Sequence, residues 1–173
     1  LKSSLNMAID EFLFCSLEEK AQTYVRFYQW ERPTVTLGYS QLVSRAVNLE
    51  YCHRHGIDIV RRITGGKLVL HDREVTYSVC SSDIEIFSSS LPNSYRLISQ
   101  ALICSLEKMG IKTSLAAPPL SSYIRGDTLC FSQPARDEIE IEGKKIVGSA
   151  QKRVGSKFIQ HGSIPLEHDE QLL

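Results

Sequence analysis

The alternation of hydrophobic and polar positions lays out the elements of this chain. Leu5, Ile9, Phe12, Leu13 and Leu17 recur at helical spacing, with Asp10, Glu11, Glu18 and Glu19 on much of the remaining surface. That pattern predicts an amphipathic helix over residues 4–20 with its apolar stripe toward the core. Residues 23–30, rich in aromatic and β-branched side chains, read as a strand. Arg32-Pro33 breaks it, and residues 34–37 resume as a strand that stops at Gly38. Asn48 and Gly56 bracket a short helix as N-cap and C-terminal stop. Residues 57–62 read as a strand and 64–66 as a loop. Residues 67–71 and 75–80 read as two strands joined through Asp72-Arg73-Glu74 in a hairpin.

A second long helix is predicted over residues 93–109, with Tyr95, Ile98, Ala101, Leu102, Leu106 and Met109 on one face and Gly110 as its stop. Residues 111–115 read as a strand. Residues 116–136, carrying Pro118, Pro119, Gly126 and Pro134, read as a long loop of the kind that often carries function. Residues 138–142 alternate strictly, as a half-buried strand does. Gly143-Lys144 turns the chain, residues 145–147 run back, and residues 157–160 form a last strand before His161-Gly162-Ser163. Two long helices among about eight short strands indicate an α/β (α+β) protein with a largely antiparallel or mixed sheet packed with helices. Strict βαβ alternation is absent, which argues against a doubly wound fold.

Composition narrows the class. With 173 residues, one domain spanning 1–173 is expected. The chain lacks an initial Met and stops at Gln171-Leu172-Leu173 without punctuation, as a piece truncated at either end would. Hydrophobic residues at 42% and charged residues at 23% fit an ordinary globular protein. Twenty Lys and Arg against twenty Asp and Glu exclude a global basic field for gripping nucleic acid. No apolar run approaches the roughly 18 residues of a membrane helix, so no membrane partner is expected. Five cysteines, Cys15, Cys52, Cys80, Cys104 and Cys130, are an odd number without metal-clip spacing, so neither a disulfide framework nor a metal site is indicated. A cytoplasmic setting and a monomer are the default expectations. Cys15, Cys80 and Cys104 read as small buried hydrophobes, and Cys52 as part of a partly exposed helix.

Four clusters carry possible chemistry. In Arg61-Arg62-Ile63-Thr64-Gly65-Gly66-Lys67-Leu68-Val69-Leu70-His71, paired glycines allow close backbone approach of a ligand, and the amides of such a turn form an anion-binding concavity. A glycine hairpin flanked by surface charge fits the same residues. In Gly143-Lys144-Lys145-Ile146-Val147-Gly148-Ser149-Ala150-Gln151, small residues let a ligand lie against a strand, and an ammonium could fix a carbonyl or anion; a hairpin with solvated lysines fits as well. Cys130-Phe131 sits in the long loop, where a neighbouring cation would favour the thiolate; a cysteine that anchors Phe131 inward is the alternative. His161, in Gln160-His161-Gly162-Ser163, faces a pocket or is a structural histidine.

Together these blocks resemble the biotin/lipoate protein ligase catalytic-domain family. Asn6-Met7-Ala8-Ile9-Asp10-Glu11 and Glu74-Val75-Thr76-Tyr77-Ser78 join the blocks that begin at Arg61, Gly143 and Gln160, and these five follow the family's order from Asn6 to about Leu166. Lipoate–protein ligases of the family read like Arg-Arg-x-Ser-Gly-Gly-Gly, whereas octanoyltransferases of the LipM type carry Thr-Gly-Gly-Arg and a cysteine before Phe. Thr64-Gly65-Gly66-Lys67 and Cys130-Phe131 are similar to the transferase branch, with Lys67 in place of Arg and Leu68 in place of Ala.

The resemblance implies transfer of octanoyl from octanoyl-acyl carrier protein to Cys130, and then to a lysine of a lipoyl domain or of glycine cleavage H protein. It implies no cofactor, because the thioester supplies the energy. It casts Cys130 and Lys145 as catalytic, Lys145 lowering the thiol pKa and holding the acyl carbonyl. It casts Arg62, Thr64, Gly65, Gly66, His71, Gly148, Ser149 and His161 as substrate-binding. An ATP-dependent lipoate–protein ligase, a LipL-type amidotransferase and a non-catalytic acyl-binding subunit are the alternatives, in that order.

Overall fold

The computed structural model describes residues 1–18, 20–116 and 139–167. Helix α1 (Ser3–Cys15) leads into strand β1 (Thr23–Tyr28), and Pro33 precedes β2 (Thr34–Leu37). Two short helices follow, α2 (Val43–Ala46) and α3 (Leu49–Arg54), the second capped by the Asn48 side chain, which accepts from Tyr51 N–H. Next come β3 (Asp58–Arg61), β4 (Val69–His71), β5 (Glu74–Ser81), α4 (Ile84–Phe87) and α5 (Leu91–Lys108). The remaining strands are β6 (Ser114–Leu115), β7 (Ile139–Ile141), β8 (Lys144–Val154) and β9 (Lys157–Pro165).

They build two sheets. The larger has the order β1-β5-β9-β8-β7-β6, antiparallel throughout. The smaller has the order β3-β2-β4, with β2 parallel to β3 and antiparallel to β4. Strand alternation divides β5: Tyr77 and Val79 join Ile98, Ile139, Val147 and Phe158 in the core under α5, while Cys80 packs with Leu17 and Ile159 on the other face. A third cluster, Val35, Leu37, Cys52 and Ile57, closes the small sheet against α2 and α3.

The mixed sheet with packed helices is as the sequence pattern predicts, but several details differ. Strands β4 and β5 are not a hairpin. The chain passes from the small sheet to the large one between them, through a left-handed Arg73 (φ 44°) and a bond of 2.7 Å from His71 Nδ1 to Glu74. Strands β8 and β9 run far beyond the predicted segments, because pairing with neighbours carries the glycines and polar residues that local propensity disfavours. Helix α1 ends five residues early and is rotated from its predicted orientation. Ser3, Asn6, Met7 and Asp10 are buried, whereas Leu5 and Phe12 are exposed, Phe12 at 68%. Hydrogen bonds explain the reversal: Ser3 Oγ donates to Asp58 at 2.8 Å, and Asn6 Nδ2 to the Gln29 carbonyl at 3.1 Å. Met109 is exposed rather than on the buried face of α5. Cys15 and Cys104 are exposed, against expectation, while Cys52 turns inward from an otherwise largely exposed helix.

Between β5, β8 and β9 the packing depends on Gly162. A Cβ there would lie 2.5 Å from the Tyr77 ring and 2.7 Å from Ser149 Oγ. Gly162→Ala is therefore expected to cost about 1–3 kcal/mol, the usual range for overpacking, measured by urea unfolding.

Candidate active site

A pocket is bordered by residues of both sheets. Thr36, Val69 and His71 come from the small sheet, Tyr28, Thr76, Gly148, Ala150, His161 and Ser163 from the large one, and Met7 from α1. Trp30, just past β1, stacks on His71 with ring centroids 4.5 Å apart. Its Nε1 donates to Thr76 Oγ1 at 2.8 Å.

The glycine turn is pressed against the end of β2. Tyr39 N–H donates to the Thr64 carbonyl at 2.8 Å, and Arg62 N–H to the Leu37 carbonyl at 3.0 Å. A Cβ at Gly38 would lie 2.0 Å from the Gly66 carbonyl oxygen, so this approach requires glycine. Gly66 takes a left-handed φ of 91°. At Gly65 an added Cβ would meet nothing within 4 Å, so the space beside it is open.

The guanidinium of Arg62, 5% exposed, holds this turn from beneath. Nη2 donates to the Gly65 carbonyl at 2.8 Å and the Lys67 carbonyl at 2.6 Å. Nη1 donates to the Thr36 carbonyl at 3.0 Å and Thr36 Oγ1 at 3.1 Å, and Nε to Thr64 Oγ1 at 3.2 Å. Each threonine hydroxyl then meets a histidine, Thr36 to His71 Nε2 at 2.8 Å and Thr64 to His161 Nε2 at 2.6 Å. Each histidine turns Nδ1 to a carboxylate, His71 to Glu74 at 2.7 Å and His161 to Asp10 at 3.2 Å.

Both carboxylates are saturated. Asp10 also accepts from Arg26 Nη1 at 2.8 Å, Ser78 Oγ at 2.9 Å and Tyr28 Oη at 2.9 Å. Glu74 also accepts from Thr76, Ser163 and Trp30. Burial pushes the Asp10 carboxyl up, but the hydrogen bond and charge of His161, with the Ser78 and Tyr28 hydroxyls, outweigh it and leave it below its ordinary value. Burial likewise acts on Glu74 and is outweighed by His71, Ser163 and Thr76. Burial lowers His161, helped by the charges of Arg62 and His71, and Asp10 only partly offsets this. Burial and the Asp10 charge push the Tyr28 hydroxyl well up.

Of the residues singled out in the sequence, Arg62, Gly66, His71, Gly148, Ser149 and His161 line the pocket. Thr64 and Gly65 stand at its edge, bonded to His161 and Arg62 respectively. The polar atoms of Arg62, His71 and His161 are engaged with protein groups. Ser149 Oγ lies 2.7 Å from Tyr77 Oη. Lys145 does not border the pocket; it is half-buried in β8, three residues before Gly148 and beside a bulge against β7. Cys130 lies outside the described residues. Among the described residues no group of three or more His, Cys, Asp or Glu could hold a metal ion. Sequence reasoning missed Asp10, Thr36 and Glu74 as site residues. The signal for Asp10 was available, since Ser3, Asn6 and Asp10 form a polar stripe at helical spacing.

A six-stranded antiparallel sheet and a small mixed sheet thus border one pocket beside a glycine turn. The chain belongs to the lipoyl protein ligase A/B catalytic domain family, whose model matches residues 2–173. It is similar to octanoyltransferase LipM of Geobacillus kaustophilus, 41% identical over 98% of this chain and 64% of that protein. It is similar also to octanoyltransferase LipM of Bacillus subtilis, 36% identical over 98% of this chain and 64% of that one. The chain thus spans just under two thirds of the curated relatives it matches. Among solved structures it resembles lipoate-protein ligase A bound with ATP (TM-score 0.82, 25% identity, 99% of this chain and 65% of that chain). It also resembles protein Ta0514 from T. acidophilum with bound lipoic acid (TM-score 0.78, 26% identity, 99% of this chain and 67% of that chain). Among the described residues no helix is long and apolar enough to cross a membrane.

Two outcomes follow from this geometry. A His161 held below its ordinary 6.5 takes up a proton more readily in the unfolded chain, so stability is lost as pH falls through about 6.5. Asp10 and Glu74, held below 3.8 and 4.5, contribute stability present above those values and lost as pH falls through their lower folded values. Urea unfolding across pH 3–8 should show both declines, about pH 6.5 and about pH 4 downward, and His161→Asn should abolish the first. Gly65→Ala should change stability by less than about 0.5 kcal/mol, whereas Gly66→Ala, forced into left-handed backbone, should cost about 1–2 kcal/mol in the same assay.

Proposed function

We propose that this chain carries octanoyltransferase activity, moving an octanoyl group from octanoyl-acyl carrier protein through a Cys130 thioester to a lysine of a lipoyl domain or glycine cleavage H protein. The observation that carries the reading is the pocket itself. Its buried polar side chains are paired with one another, which leaves to a ligand the faces of Met7, Val69 and Trp30, the glycine turn and the small residues of β8. Such a wall suits an alkyl chain, and each buried CH₂ contributes about 0.8 kcal/mol. The identity with octanoyltransferases named LipM supports the same chemistry.

In the first step the Cys130 thiolate attacks the thioester carbonyl carbon, the carrier's thiolate leaves, and an octanoyl-enzyme thioester remains. Thioester is exchanged for thioester at nearly equal energy, so ATP is not needed. In the second step the acceptor lysine amine attacks the same carbonyl carbon. An amide forms, and Cys130 regains its thiol as the amine gives up a proton. The Lys145 ammonium lowers the thiol pKa and stabilises negative charge on the carbonyl oxygen. Gly65, where the backbone leaves room, and Gly66, which lines the pocket, border the acyl group, and Gly148 and Ser149 flank it from β8.

Intact mass spectrometry after mixing with octanoyl-acyl carrier protein, without ATP, tests the reading. One octanoyl group, released by hydroxylamine and missing in Cys130→Ser, is expected. ATP-dependent modification of a lipoyl domain by both proteins, with no adduct, would replace the transferase by a ligase. Lys145→Ala should slow adduct formation by about 10²–10³-fold and shift the acid limb of its pH–rate profile upward, because the thiol loses the neighbouring positive charge.

A further inference from the structure

We propose that Arg62 is the positioning residue of this site, a single guanidinium that orders the glycine turn and both pocket histidines as one unit. An arginine has five N–H donors and no acceptor. Among the described residues, five bonds run from Arg62 to Thr36, Thr64, Gly65 and Lys67, spread over all three of its nitrogens.

Those groups fall into two relays of the same composition. On one side the order is Arg62, Thr36, His71, Glu74; on the other it is Arg62, Thr64, His161, Asp10. The direction of each relay follows from its ends. The guanidinium only donates, so each threonine oxygen accepts from it. Each carboxylate accepts from Nδ1, so each imidazole carries its proton there and receives the threonine hydroxyl proton at Nε2. The clamp on the turn follows from the same residue. Peptide geometry sets the Gly66 N–H opposite the Gly65 carbonyl, so a carbonyl held on Arg62 aims that amide away from the guanidinium. Lysine, with three rotatable donors on one atom, cannot reproduce five bonds in a planar fork.

The catalytic part of this proposal rests on the octanoyl-transfer reading; the ordering of the histidines does not. The test compares wild type, Arg62→Lys and Thr64→Val by histidine side-chain ¹H–¹⁵N NMR and by octanoyl-transfer kinetics. In wild type, His71 and His161 should both show the Nδ1–H form with slowly exchanging ring protons. Arg62→Lys should shift the Nε2 resonances of both histidines, end the slow exchange of their ring protons and lower kcat of octanoyl-enzyme formation by about 100-fold, with KM changed less than threefold. Thr64→Val should alter His161 and leave His71 as it is, and it serves alone if Arg62→Lys does not fold. The proposal is overturned if Arg62→Lys leaves both imidazole spectra unchanged or retains the wild-type rate, or if Thr64→Val leaves the His161 spectrum unchanged. Two protected Nδ1 protons in wild type, lost in Arg62→Lys, with no octanoyl transfer by either protein, would support the ordering role and remove the transferase reading instead.

Discussion

A guanidinium shut away from water must find an acceptor for each of its donors, and burying its charge is costly unless negative charge lies near. Arg62 meets the first demand with main-chain carbonyls and two hydroxyls, and the second with Asp10 and Glu74, each one histidine beyond a threonine. Meeting both fixes much else. It brings the end of β2 against the glycine turn, joins the two sheets through His161 and Thr64, and turns the polar side of α1 inward to deliver Asp10. The pocket then has polar walls whose hydrogen bonds are already made, and an apolar guest can enter without stranding them.

The opposite face of the large sheet makes the strands behind the pocket stiff. Gln160 Nε2 donates to Tyr77 Oη at 2.9 Å, and Gln151 Nε2 donates to Gln160 Oε1 at 3.0 Å. Gln151 also meets Ser94 of α5, which receives Arg153 Nη2 at 2.9 Å. Strands with few bulky side chains toward the pocket are thereby secured from behind, and their small residues can be kept for ligand space. Burial pushes the Tyr77 hydroxyl up to about 12, so this brace stays uncharged over the working range.

The strands and the two long helices were legible because their patterns are local. Asn48, Gly56 and the alternation near Ile139 act on their own neighbourhoods. The orientation of α1 was not, because apolar periodicity assumes that a core is apolar. Here the helix faces a polar seam, and partners as distant in sequence as Arg26, Ser78 and His161 decide its rotation. The separation of β4 from β5 was hidden for a related reason: Asp72-Arg73-Glu74 has the composition of a hairpin turn, and only the His71–Glu74 contact and the second sheet show that the chain crosses over. The pocket residues in the glycine turn and on β8 and β9 were legible as motifs. Their division into residues that border the pocket and residues that hold others in place required coordinates.

Trp30 is the single tryptophan of the chain, borders the pocket and stacks on His71. The molecule therefore carries its own fluorophore at the wall of the pocket, where the proposed octanoyl chain would lie. Its emission senses the polarity of that space and contact with the imidazole beside it, so occupancy can be followed in real time without attaching a label or waiting for turnover.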